Sequence, residues 1–284
     1  MMVLDFQKNA AISHHYTYHE GTSAQREIPV IAKKTLYYQP IVDVSRSQVV
    51  FYEALLRFVA QDGSVFSPAS FVQRAEADGS IIGLDTDSLS MAFGVLADNP
   101  SLTLSINVSC LSLEDPLWFL RFTHLAKAHP DALSRFMVEV TETRNFSLSQ
   151  QASHRLRDIH AMGVRLALDD ADHVPFVCVQ AYLEAGVPVD FLKISRHLTS
   201  AWQNGAPPHQ GLALLSLAED YGLMVIMEGV ETKPQSDALC AQGLFLQQGY
   251  HWGQPVGTFG ISAAVLGPVD NSVDKEKGLE KQSL

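Results

Sequence analysis

Cysteine is scarce in this chain. Cys110, Cys178 and Cys240 are odd in number, widely separated and without CxxC spacing, which disfavours a disulfide framework and fits thiols packed in a reduced cytosol. Long apolar runs are missing too. None approaches the roughly 20 residues that cross a bilayer, so no membrane partner is expected. The opening MMVLDFQKNAAISHHYTYHEG lacks the basic start and apolar core of a signal peptide, which makes the cytoplasm the expected address. Positive charge is sparse: 20 Lys and Arg against 31 Asp and Glu leave a net charge of −11. That balance disfavours a broad surface for a DNA or RNA polymer. A small phosphorylated ligand stays compatible, because bound cations reverse the sign of a local acidic site. No Gly/Ser-rich linker or composition break interrupts the middle of the chain, so one domain is favoured over two small ones.

What the chain does have is the composition of a globular protein with a substantial core: 284 residues, 46% apolar and 9% aromatic. Residues 1–34 are polar and irregular; their His14, His15 and His19 read as a solvated leader rather than a metal site. Residues 267–284 are charged and poor in large apolar side chains, as in a tail.

Between these ends, LYYQPIVDV, SRSQ and VVFYEALLRF read as a hairpin. SPASFVQRAEADG follows as a helix begun at Ser67 or Pro68 and ended by Gly79, and LDTDSLSMAFGVLAD as a second helix. From Leu102 onward β-rich runs alternate with helical stretches: SLTLSINVS, a helix near 116–128, RFMVEVTE, a helix near 149–162, VRLALDD, VDFLKIS, HQGLALLSLAEDYG, LMVIMEG, KPQSDALCAQG and LFLQQGY. About eight strands in such alternation predict an α/β fold, a closed (β/α) barrel varied by its antiparallel opening.

Nearly every apolar run carries a charged or amidic residue at or near its end: Glu53, Asn107, Glu139, Asp169 with Asp170, Lys193, Glu228 and Gln248. Any one of them is explained by helix capping or solvation. Together, strand ends that converge on one barrel face would gather four or five carboxyl groups, and these repel unless cations sit among them. Paired aspartates after LAL offer hard oxygen ligands suited to Mg²⁺ or Mn²⁺. Glu53 and Lys193 each lie inside apolar sequence, where a lone charge is costly.

The words YYQPIVD, EALLRF, SPASFVQRAEADG, SINVS, VEVTET, LALDD, VDFLKIS, MEGVET and QQGYHWGQP stand in one order from about Tyr38 to Pro255. In them the chain resembles the EAL-domain phosphodiesterases that hydrolyse the bacterial second messenger cyclic di-GMP. The resemblance implies a (β/α)₈ TIM-like barrel with one antiparallel strand, here over residues 35–266. It implies Glu53, Asn107, Glu139 and Asp169 as ligands of a first Mg²⁺ or Mn²⁺, with Asp169 and Asp170 holding a second. Lys193 is similar to the lysine beside the attacking water, and Glu228 to the general base or an outer metal partner. Gln248 resembles the glutamine that orders water and metal, and Gln39 and Arg57 match positions that contact ligand; Asp170 and Gln248 also face it. The product implied is linear pGpG. A homodimer, regulation through expression or a protein partner, and roles in motility and biofilm control are implied likewise.

Two places depart from the family pattern. DDFGTGYSSL becomes Asp169-Asp170-Ala171-Asp172-His173-Val174-Pro175-Phe176, and the aspartate of KID becomes Ser195. The glycines lost there allow backbone angles that Val and Pro do not. Glu142, which matches the glutamate that steadies this loop, is retained, and Asp172 is placed to repel it. Two readings stay open: an active enzyme with an altered loop, or a cyclic di-GMP receptor or protein-binding module without turnover. The retained ligand residues favour catalysis. A third class, a metal-dependent lyase or aldolase using Lys193 as a Schiff base, is disfavoured because neighbouring carboxylates raise a lysine's pKa.

Overall fold

The computed structural model describes residues 31–141, 149–173, 176–202 and 208–259. Its strands are β1 (Ile31–Asp43), β2 (Gln48–Ala60), β3 (Val65–Phe66), β4 (Leu104–Ser109), β5 (Phe136–Thr141), β6 (Arg165–Leu168), β7 (Phe191–Ile194), β8 (Met224–Met227) and β9 (Leu246–Gln248). They pair in the order β1-β9-β8-β7-β6-β5-β4-β2-β3, and β1 also pairs with β2. That last pairing closes eight strands into a barrel and leaves β3 as an appendage on β2. All barrel pairings from β2 through β9 are parallel, whereas β1 is antiparallel to both β2 and β9. The expected variant barrel is present.

The helices are α1 (Ala69–Asp78), α2 (Ile81–Asp98), α3 (Cys110–Glu114), α4 (Pro116–Ala128), α5 (Gln150–Ala161), α6 (Phe176–Glu184), α7 (Arg196–Ala201), α8 (His209–Tyr221) and α9 (Lys233–Cys240). Local chemistry sets their ends. Asp115 accepts from the backbone N–H groups of Leu117 and Trp118 while Pro116 occupies the first turn of α4. Thr232 and Gln235 form a reciprocal capping box on α9. Gly79, at φ 80°, ends α1 as the sequence predicts. No single helix among the described residues is long and apolar enough to cross a membrane.

One expectation is corrected here. Ile31–Lys34 form the start of β1 and belong to the barrel hairpin rather than to the leader. The rest of the leader, with His14, His15 and His19, and the tail from 267 lie outside the described residues, as do Glu142 and Val174-Pro175.

Apolar side chains form two separate layers. The larger, with Leu89, Phe93, Trp118, Val138, Leu166 and Leu192, packs the helices onto the outside of the barrel. The smaller, Ile41, Phe51, Met137, Ala167, Phe191 and Ile226, fills its interior. Alternation along each strand separates the two, since Val138, Leu166, Leu168 and Leu192 face out while Met137, Ala167 and Phe191 face in. A fully buried aliphatic or aromatic side chain stabilises by roughly 1.5–3 kcal/mol. Truncating Phe93 on α2, fully buried against Phe122 and Phe136, therefore costs about 3–5 kcal/mol.

Candidate active site

The interior plug explains where the polar residues go. Two positions beyond Phe51, Met137, Ala167, Phe191, Ile226 and Leu246 stand Glu53, Glu139, Asp169, Lys193, Glu228 and Gln248. A two-residue step returns the side chain to the same face of a strand, so each inward apolar residue is followed by an inward polar one. Strand β1 runs the other way, and there the polar partner of Ile41 is Gln39, two residues before it. Asn107 joins the layer through the β4–β5 register, opposite Glu139. The sequence reading is thereby refined for Glu53: it lies in the middle of the 13-residue β2, opposite Gln39, and does not close a run.

Within this layer Glu53 is held from both sides. Its Oε1 accepts from Asn107 Nδ2 at 2.6 Å and its Oε2 from Gln248 Nε2 at 2.5 Å. Gln248 also donates to Gln39 Oε1 at 3.2 Å, and Gln39 donates to the Gly253 carbonyl at 3.2 Å. Lys193 stands at the centre, with Nζ 2.5 Å from Glu139 Oε2, 2.7 Å from Glu228 Oε1, 3.1 Å from Asp169 Oδ1 and 3.8 Å from Glu53 Oε2. Its side chain is 1% exposed.

Burial dominates the proton affinities. It pushes the Glu139 carboxyl up to about 8, with Lys193 partly offsetting it. It also raises Glu228 well above the usual carboxylate range, helped by Asp169 and Glu53 against Lys193. Asp170 is raised by burial and by Asp169. Burial alone would lower the Lys193 proton affinity, but Asp169, Glu139, Glu228 and Glu53 together outweigh it and hold the ammonium well above its ordinary value. A lysine so held is a poor Schiff-base nucleophile, and the lyase or aldolase reading falls with it.

Three buried oxygens, Asn107 Oδ1, Glu139 Oε1 and Gln248 Oε1, have no hydrogen-bond partner, and Asp169 Oδ1 is engaged by the Lys193 ammonium alone. Such groups are costly unless something else engages them, and hard oxygens of this kind are the donor set of Mg²⁺ or Mn²⁺. Separately, ligand atoms of Asp169, Asp170 and Glu228 lie within 4.8 Å of one another. The residues therefore fit divalent cations.

A cleft of about 380 Å³ opens over this layer, with Gln39, Glu53, Asp170, Glu228, Gln248 and Tyr250 among its walls. Arg57 is not among them. It stands on the β1–β2 arm beyond Glu53, donates to the Leu56 carbonyl at 2.8 Å and lies over the Tyr37 ring at 5.8 Å. Sequence reasoning missed Arg196, which also lines the cleft and pairs with Glu231 at 2.7 Å; its place directly after the KIS word was the available signal.

The divergent loop begins with residues 169–173. The left-handed backbone falls on Asp170, φ 46°, and not on Ala171, Asp172 or His173. Replacing the first glycine by Asp172 thus demands no forbidden angle. Ala171 is fully buried and donates its N–H to the Lys193 carbonyl at 3.2 Å. Asp172 accepts from the N–H and hydroxyl of Ser195 at 2.8 and 2.7 Å.

Residues 30–255 match the EAL domain family. The chain belongs to that family. It is 28% identical over 233 residues to the probable cyclic di-GMP phosphodiesterase PdeI of Escherichia coli, covering 80% of this chain and 29% of that protein. It is 30% identical over 227 residues to the cyclic di-GMP phosphodiesterase PA2567 of Pseudomonas aeruginosa, covering 78% and 38%. This EAL chain thus spans about a third of the length of these curated relatives. The structure of the PaMucR phosphodiesterase in complex with c-di-GMP superposes with a TM-score of 0.66 at 25% identity, covering 78% of this chain and 96% of that one. The EAL domain of Xanthomonas citri FimX shares the fold at 19% identity, TM-score 0.69, over 81% and 91% of the two chains.

Proposed function

We propose that this EAL domain is a metal-dependent phosphodiesterase that hydrolyses cyclic di-GMP to linear pGpG. The observation that carries the reading is the set of three unpartnered buried oxygens, Asn107 Oδ1, Glu139 Oε1 and Gln248 Oε1, gathered with the Lys193 carboxylate cluster beneath an open cleft. Two relatives, one named a cyclic di-GMP phosphodiesterase and one a probable one, at 30% and 28% identity, support cyclic di-GMP as the substrate.

Glu53, Asn107, Glu139 and Asp169 would hold one Mg²⁺ or Mn²⁺, and Asp169 with Asp170 a second, with Glu228 at its side. Divalent cations in such a site lower the pKa of a water and neutralise charge on the attacking and leaving oxygens. Lys193 orients the water by donating from a fixed ammonium. Glu228, whose carboxylate lies 2.7 Å from the Lys193 ammonium at the cleft wall, accepts the water's proton. Gln248 and Gln39 fix Glu53 and present amide groups to the ligand. Arg57 grips a ligand phosphate from the rim. The water oxygen bonds to phosphorus in line, the bond from phosphorus to the 3′ oxygen breaks, and that oxygen takes up a proton from solvent, to which Glu228 returns the one it accepted.

The same proposal takes the catalytic domain from Ile31 to about residue 266, places the protein in the cytoplasm and makes it a homodimer open to regulation by a protein partner. Incubating purified protein with cyclic di-GMP and Mg²⁺ or Mn²⁺, followed by nucleotide chromatography, is expected to yield pGpG. Tight binding of cyclic di-GMP without product would replace the enzyme by a receptor.

A further inference from the structure

The two departures from the family pattern, Asp172 in place of a glycine and Ser195 in place of an aspartate, meet in space. Asp172 Oδ1 accepts from the Ser195 backbone N–H at 2.8 Å and Oδ2 from the Ser195 hydroxyl at 2.7 Å. The Asp172 side chain is 1% exposed. A buried carboxylate is tolerable when both oxygens are so engaged; facing a second carboxylate at position 195 it would be repelled and desolvated. With glycine at 172, the Ser195 N–H would lose its acceptor and the hydroxyl would keep only His173 and the His197 N–H. The substitutions therefore compensate one another: the carboxylate has moved from the end of β7 to the loop after β6.

That loop carries the paired aspartates. Besides the Ser195 bonds, Gln210 Nε2 donates to the Asp172 carbonyl at 2.6 Å, and the Ala171 N–H donates to the Lys193 carbonyl at 3.2 Å. The fixed segment includes Asp170, whose φ of 46° lies in the left-handed region, which aspartate enters more readily than most residues but still at some cost. Released from these ties, Asp170 would relax to negative φ and turn its carboxylate away from Asp169 and Glu228.

We propose that Asp172 and Ser195 form a positioning clamp that holds Asp169 and Asp170 in their cation-binding arrangement, replacing the support that the family's glycine loop gives. The clamp rests on the metal-site reading above. Its test is Mn²⁺ binding alone, measured by calorimetry on the full chain after chelation, with circular dichroism to confirm folding. Asp172→Ala is expected to weaken Mn²⁺ about tenfold or more, in the range seen when outer-shell partners of metal ligands are removed. Asp172→Asn, which keeps an acceptor for the Ser195 N–H, is expected to stay within about threefold of wild type. Ser195→Asp alone should lose affinity as Asp172→Ala does, and Asp172→Gly combined with Ser195→Asp should recover it.

A folded Asp172→Ala protein with wild-type Mn²⁺ affinity overturns the clamp, even if its melting temperature has dropped, because a merely structural bond would lower stability and spare the metal. Should Asp172→Ala not fold, Ser195→Ala removes the hydroxyl bond to Asp172 together with the cap on the His197 N–H, and unchanged Mn²⁺ affinity in that folded variant overturns the proposal equally. Wild-type protein that binds Mn²⁺ but releases no pGpG sinks the phosphodiesterase reading and leaves the clamp standing. Turnover with Mn²⁺ affinity indifferent to Asp172 sinks the clamp alone. Failure of the wild type to bind Mn²⁺ removes both.

Discussion

Lys193 reaches past β6 to Glu139, placing Nζ 2.5 Å from Oε2 with both side chains buried. The ammonium sits amid Glu53, Glu139, Asp169 and Glu228, so it serves as the internal counter-charge of the barrel mouth. Removing one partner of a buried ion pair costs about 3–5 kcal/mol, because the remaining charge is left without compensation. Lys193→Met is therefore expected to lower the stability of metal-free protein by about that amount in urea titration. Added Mn²⁺ should restore much of the stability but none of the turnover. Stability equal to wild type in chelator would show that the lysine does not neutralise the cluster.

Glu139 gives the site a pH dependence with a definite sign. Burial lifts its carboxyl from 4.5 to about 8, so between those values the folded protein keeps a proton that the unfolded chain has released. Stability then falls as pH rises through that window and is undiminished by this group below it. Melting temperatures of metal-free protein are expected to decline from about pH 5 to 8. Glu139→Gln, which cannot ionise, should flatten the slope. An equal slope in the variant would place the titration elsewhere.

Glu53 tests the centre of the proposed site. Both its oxygens are already aimed, by Asn107 and by Gln248, so Glu53→Gln keeps size while losing the charge. Turnover with Mn²⁺ is expected to fall more than about 100-fold, beyond what loss of an outer-shell partner produces. Chromatography of the product decides it; near-normal pGpG release would remove Glu53 from the ligand set.

Much of this was legible in the sequence, for physical reasons. Strands and helices alternate with clear periodicities, and a charge inside an apolar run, as at Glu53 and Lys193, signals a buried partner. The (β/α)₈ barrel, its hairpin and the gathering of Glu53, Asn107, Glu139, Asp169, Lys193, Glu228 and Gln248 follow from those signals. What escaped was either short or non-local. Helices α3 and α7 span five and six residues, too few for a period. The apolar residues of α6 do not mark one face, since Val177 is exposed while Val179 and Leu183 are buried. Asp172 and Ser195 lie 23 positions apart on different elements, so each read as a separate loss when they are one pairing.

Arg57 separates ligand grip from metal chemistry. Its guanidinium rests over Tyr37 on the arm beyond Glu53 and feels the charge of Glu53 before that of Tyr250 in the cleft wall, yet no hydrogen bond or ion pair joins it to a carboxylate among the described residues. If it grips a ligand phosphate, Arg57→Ala should raise KM for cyclic di-GMP about tenfold or more, as expected for loss of a charge-assisted bond. Mn²⁺ affinity should change far less than KM, because Arg57 acts on Glu53 only through charge and not through a bond. A variant with unchanged KM would leave Arg57 as a packing residue of the arm.

Gly249 tests whether the end of β9 is set by backbone contact. Its φ of 153° is one that side chains rarely adopt, and a Cβ there would stand 2.1 Å from the Val230 carbonyl oxygen. Three hydrogen bonds lock this approach: Val230 N–H to the Gln248 carbonyl, His251 N–H to the Val230 carbonyl and Trp252 N–H to the Gly249 carbonyl, each 3.0 Å. The neighbouring atoms are backbone, so no side chain can rotate away to make room. Gly249→Ala must therefore shift Gln248 or the turn after Glu228, and both carry the proposed chemistry. We expect a stability loss of at least about 1–3 kcal/mol together with a fall in turnover larger than the fall in folded protein, read by thermal melts beside product assays on the same samples. Turnover that tracks the folded fraction alone would mean that the contact supports the fold without aiming Gln248.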